Sequence, residues 1–277
     1  MQVKISPVFQ IFEQQQREAK ELFLALGKQI KSKKVIELSG KLAFLELYSD
    51  LMTKVHFDQE NRDQNPFSPF KKLQKNLRKI HHFKLAEKSL KTREVKTGLT
   101  FNSYRQFLEE HKKSLYIETF DLIVGSPLKI WDELLHGCHQ SSKGIKPLMI
   151  NTAINQIIQE ELEFLHVNQK NEIDSRVLRD IFEGMRTIIM LENLLIHLGF
   201  NPIFVESIHQ EISLLKENMK PWYSNHLALQ SITQYLSDKE GIQKKYLEWV
   251  KDLKEEKKSL SSLVEKQAQT LFAKILI

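Results

Sequence analysis

Residues 67–96 read FSPFKKLQKNLRKIHHFKLAEKSLKTREVK, and this stretch decides the fold. Phe70, Leu73, Leu77 and Ile80, continued by Phe83, Ala86 and Leu90, recur at steps of three and four. That is the period of a helix with one buried side. Pro69 suits a helix start, where its missing N–H would find no partner in any case, and Asn65 or Ser68 can cap it. Away from the early apolar stripe stand Lys71, Lys75, Arg78 and His82, flanked by Lys72 and Lys79. From Lys71 to Lys96 there are ten Lys or Arg and two Glu, a local charge of +8 in a chain whose total is +6. Like charges at that density repel one another unless an anion neutralises them. A merely solvated Lys-rich face is the plain alternative.

The same period extends outward along the chain. It predicts helices over Pro7–Ile30 and Val35–Val55 before the basic stretch, then over Phe101–Val124, Leu128–His136 and Leu148–His166. A helix capped by Asp174 or Ser175 runs to about Leu198 and stops at Gly199. Pro202 and Pro221 each open a further helix, and Lys244–Ile275 closes the series. No stretch alternates as a strand would, and nine Gly and seven Pro in 277 residues are too few for a protein built on tight turns. The fold class is therefore all-α, with about ten helices in total. The polar stretch GCHQSSKGIKP, residues 137–147, is the best boundary, giving two helical-bundle halves, 1–140 and 141–277. The first half carries a net charge of +7 and the second −1, so the basic character belongs to the first.

Several functions find no support in the sequence. One cysteine, Cys138, excludes an internal disulfide framework and points to a reducing compartment. The first twenty residues do not have the pattern of a signal peptide, and Glu192, Asn193 and His197 interrupt the most apolar run. A cytoplasmic protein without membrane contact is the expectation. Glu133/His136, Glu163/His166 and Glu206/His209 have the Glu-x-x-His spacing of carboxylate-bridged metal bundles, but no complete ligand set accompanies them. Cys138 between His136 and His139 has no further defined partner, and no phosphate-binding loop or nucleophile elbow is present. No catalytic residue, metal or cofactor is expected.

In the stretch DSRVLRDIFEGMRTIIMLENLL, Arg179 and Arg186 stand seven apart, as Lys71 and Arg78 do, with Met185 in the place of Leu77. Residues seven apart share a helix face, so each half shows paired cations on one side. These two helices make the chain resemble the conserved-histidine α-helical domain (CHAD) family. Its signatures read approximately H-x-x-R-x-x-x-R-R-x-R in the first half and H-x-x-R-K-x-x-K-x-x-R in the second. The first-half arginines fall on Lys71, on Lys75 and Asn76, and on Arg78, and the second-half flanking arginines fall on Arg179 and Arg186. The stretch LLKENMKPWYSNHLALQSITQYL also resembles the family's segment after the second signature helix. The sequence departs from the pattern at the name-giving histidines, which fall on Ser68 and Arg176. It departs again at Asp180 and Glu183, where the family has lysines, and at Ser224, where it has aspartate. The resemblance implies two pseudo-repeated helical bundles and binding of inorganic polyphosphate through basic residues.

These readings converge on a non-enzymatic polyanion-binding protein. The candidate residues are Lys71, Lys72, Lys75, Arg78, Lys79 and His82, with Arg179 and Arg186 in the second half. Inorganic polyphosphate is the partner the resemblance implies. Charge alone admits any phosphate polymer, nucleic acid included, without sequence preference. Lys28, Lys31, Lys33 and Lys34 are the next cations a long polymer would meet. In the second half, Glu183 between Arg179 and Arg186 predicts an ion-pair ladder along the helix. Two alternatives stay open: an interaction scaffold whose basic face meets an acidic protein, and a two-metal carboxylate/histidine bundle.

Overall fold

The computed structural model describes residues 7–30, 32–55, 65–169, 174–237 and 239–275, leaving aside the side chains of 32 and 165–169. The described residues form nine α-helices and no strand. In order they are α1 (Pro7–Lys28), α2 (Ser32–Val55), α3 (Lys71–Thr97), α4 (Asn102–Gly125), α5 (Lys129–Ser142), α6 (Pro147–Gln169), α7 (Ser175–His197), α8 (Glu206–Leu236) and α9 (Lys244–Ile275). A 3-10 turn, Ser68–Phe70, leads into α3. The chain is all-α. It gathers into two compact units, one comprising Met1–His81, Lys112–Gln156 and Leu194–Asn201, the other His82–His111, Ile157–Asn193 and Pro202–Ile277.

In the first unit α1, α2 and α5 pack on one another. Trp131 of α5 is wholly buried at the centre, with Phe70 and Phe23 meeting its ring edge-on at centroid distances of 4.6 and 5.3 Å. The buried Gln16 side chain donates to the Trp131 carbonyl at 3.0 Å, so it is not left without a partner. Phe70 thus locks the entrance of α3 into this core, and truncating Trp131 to Ala costs about 3–5 kcal/mol. α5 continues to Ser142, past the His136 end that the sequence suggests. Leu134 and Cys138 are both buried, which keeps the extra turn packed, and Ser141 and Ser142 donate back to the carbonyls of Gly137 and Cys138. Gly137 packs closely on Pro66: a Cβ here would stand 3.0 Å from the Pro66 Cβ, a tight contact that the ring would have to yield to.

In the second unit α8 and α9 pack along their length. Ala86, Leu90, Phe101, Tyr104 and Leu108 of the α3–α4 region complete an aromatic-rich core with Ile232, Tyr235, Tyr246 and Trp249. Two expectations about α8 need correction. It starts at Glu206 and not at Pro202, and it runs through Pro221 without a break. Proline in a helix interior loses one hydrogen bond and costs about 3 kcal/mol. Here Ile212, Leu215 and Met219 before it and Trp222, Ala228 and Ile232 after it are all buried, so a single helix keeps both groups in the core. The Trp222 indole N–H adds a bond to Ser261 Oγ of α9 at 3.0 Å. At α7, Asp174 is the cap: its Oδ1 accepts the N–H groups of Arg176 and Val177 at 2.7 and 2.9 Å.

Candidate anion-binding surface

The α3 row begins where Asn65 fixes the chain. Asn65 Oδ1 accepts the Phe67 N–H and the Ser49 hydroxyl, both at 2.8 Å, and its Nδ2 donates to Asp50 at 2.8 Å. Of the two proposed caps, Asn65 therefore does the organising. Burial pushes the Asp50 carboxyl up, with Glu46 adding to the effect, while the Asn65 hydrogen bond and Lys71 pull it down.

From that fixed start the apolar side turns inward: Leu73, Leu77 and Ile80 are buried. Lys71, Lys72, Lys75, Arg78 and Lys79 are all exposed. Two of them have carboxylates at the edge of ion-pair range, Lys72 with Glu118 of α4 and Arg78 with Glu46 of α2, each at 3.7 Å. Glu46 is already engaged by Gln74 at 2.7 Å. Lys71, Lys75 and Lys79 form no ion pair with any described residue. Asn76, in the second place of the family's central arginine pair, is instead buried, with its Nδ2 unpartnered. Lys28 and Lys34 line a common surface depression in the same unit, Lys33 is exposed, and Lys31 lies outside the described residues.

The second unit holds the other candidates. His82 is half-buried, with the Tyr223 hydroxyl of α8 3.3 Å from its Nε2. Tyr223 stacks on Phe182 of α7, centroids 4.7 Å apart at 20°. The ladder expected along α7 does not form. Arg179 lies 3.4 Å from Asp180, its chain neighbour, and only Arg186 meets Glu183, at 3.7 Å. Neither distance is that of a tight pair, and both arginines are partly exposed.

Four more basic residues join these arginines, and single-helix spacing gave no sign of them. Lys216 on α8 is half-buried; burial lowers its pKa, and Lys220 and Arg186 lower it further, against an opposing effect of Glu217. Lys257 on α9 is also lowered, by burial first, with Asp174 acting in the other direction. His226 is buried, stacks on Trp222 at 5.1 Å and 9°, and leaves Nδ1 without a partner. Burial, then Lys257 and Arg179, lower its pKa to about 4, so the ring is neutral at pH 7. A helical wheel of α7 cannot reveal this group, because its members come from three helices.

The remaining motifs disperse. Glu133 pairs with Lys129 and His136 faces Gln140, while the His166 side chain lies outside the described residues. His209 turns from Glu206 to the buried Glu192, which also accepts the Phe204 N–H at 3.0 Å. Among the described residues no group of three or more His, Cys, Asp or Glu could hold a metal ion. Cys138 is buried, which pushes its thiol up to about 12, the reverse of what a nucleophile requires. No described helix is long and apolar enough to cross a membrane.

No protein-family model, curated protein or solved structure matches the chain. The likeness to the CHAD family rests on the residues quoted from the sequence.

Proposed function

We propose that the chain binds a linear phosphate polymer along the α3 row, without catalysing a reaction on it, and that inorganic polyphosphate is its preferred ligand. One observation carries the reading: five exposed cations occupy successive turns of one helix, and Lys71, Lys75 and Lys79 form no ion pair with any described residue. At a rise of 1.5 Å per residue, the row from Lys71 to Lys79 spans about 12 Å. A flexible polymer with closely spaced charges can meet several of its cations at once. Polyphosphate as the specific ligand comes from the family resemblance.

The test is a titration of fluorescent polyphosphate against single-stranded RNA of matched charge, each at low salt. Preference for polyphosphate supports the proposal. Equal binding would reduce it to a general phosphate-polymer surface, and no binding of either would overturn it. The same exposed cations also suit the scaffold reading, in which the basic face meets an acidic protein. Loss of polymer binding would favour that reading.

A further inference from the structure

In the first unit α2 packs on α5, and a cavity of about 730 Å³ lies where the two helices end. Its wall comes from the last turns of α2, from Asn65 and Pro66, and from the end of α5. Met52, Pro66 and Cys138 make that wall mostly apolar. Small-molecule sites have volumes of this order and combine an apolar wall with a few fixed polar groups. Hydrogen bonds set what the polar groups of this wall can do. Ser49 Oγ donates to Asn65 Oδ1 at 2.8 Å, Thr53 Oγ1 to the Ser49 carbonyl at 3.0 Å, and Ser141 Oγ to the Gly137 carbonyl at 2.9 Å. A hydroxyl has one hydrogen to give, so towards a ligand these three can only accept.

Asp50 adds a carboxylate to these acceptors. Its Oδ1 takes one hydrogen bond, from Asn65 Nδ2 at 2.8 Å, and it has no other hydrogen bond or ion pair with any described residue. Burial pushes its carboxyl up and Glu46 adds to the effect, against Asn65 and, least, Lys71. Lys54, one turn on from Asp50, also lines the cavity and already has an interaction of its own. A carboxylate short of hydrogen bonds beside an apolar wall favours a donor that carries positive charge.

We propose that this cavity binds a small organic cation, an ammonium group carried on an aromatic or other apolar body. The ammonium donates to Asp50 and to the Thr53 hydroxyl, and the apolar body covers Met52 and Pro66. None of these residues belongs to the α3 row, so the site stands whether or not that row binds a polymer.

Isothermal titration of the full chain with tryptamine and with tryptophol tests the proposal, because the two share a ring and differ in ammonium against hydroxyl. Tryptamine should bind at one saturable site about tenfold more tightly than tryptophol, the worth of one charge-assisted hydrogen bond. D50N keeps an oxygen for Asn65 to donate to and removes the charge, so it should abolish the preference for tryptamine and leave tryptophol unchanged. T53W, at an exposed position of the wall, should fill the cavity and block both compounds. K75E/R78E should bind tryptamine as the wild type does. Failure of tryptamine to saturate, equal affinity for the two compounds, or a preference that survives D50N overturns the proposal. Undiminished tryptamine binding to T53W would place the compound elsewhere and overturns it as well.

Discussion

On α3, Lys71, Lys75 and Lys79 are exposed and form no ion pair with any described residue, whereas on α8 Lys216 is half-buried and its pKa is lowered by burial, with Lys220 and Arg186 adding to the effect. The two regions place cations together under different physics. Exposed charges retain most of their hydration, so their repulsion is weak, long-ranged and readily screened by salt. Half-buried charges lose hydration and are screened less, so crowding appears as lowered lysine and histidine pKa values. A surface of the first kind suits a long, adaptable polymer.

The largest expected effect breaks the comparison on the α3 side. K75E/R78E reverses two of five exposed cations and should weaken polyphosphate binding about a hundredfold at low salt, measured by fluorescence anisotropy. A loss under threefold would remove the row from the account. Next in size is a pH effect confined to the second unit. His226 has a folded pKa of about 4, lowered from 6.5. The unfolded chain therefore binds more protons between these values, and stability falls as pH drops from 6.5 towards 4. A loss of about 2 kcal/mol is expected, allowing for residual solvation. H226Q should show a smaller loss over the same window in urea titrations, and identical curves would contradict the assignment.

Smaller effects sharpen the contrast. R179E/R186E should weaken polyphosphate binding less than tenfold, since these arginines lie beside Asp180 and Glu183. An effect matching that of K75E/R78E would make the two regions equivalent. The smallest change is K216Q, which removes the crowded ammonium and should stabilise the protein by about 0.5 kcal/mol at pH 7. Lys216 is depressed in the folded state, so its destabilising effect fades as pH rises through its folded pKa towards 10.5. The gain from K216Q should shrink accordingly in thermal melts at high pH.

Features confined to one helix were legible in the sequence. The three-and-four spacing of Phe70, Leu73, Leu77 and Ile80 revealed a buried stripe and, by exclusion, the exposed Lys71 and Lys75. Asp174 and Gly199, at φ 80°, marked the ends of α7 correctly for the same local reason. Features assembled across helices were not legible. Pro221 suggested a helix boundary, but buried side chains on both sides carry α8 through it. Glu206 and His209 share the spacing of a ligand pair, yet His209 instead joins Glu192, seventeen residues back in the chain. Lys216, Lys220, His226 and Lys257 each look like ordinary surface or core residues until α7, α8 and α9 bring their charges together.

The most direct test of the central claim is the salt dependence of polyphosphate affinity for the wild type and K75E/R78E. A polymer neutralising five cations should give a slope of log K against log salt of about −3.5, or about a hundredfold weaker binding between 50 and 200 mM. Removing two of those contacts should bring the slope to about −2. An unchanged slope in K75E/R78E would show that the polymer lies elsewhere on the protein and would contradict the account.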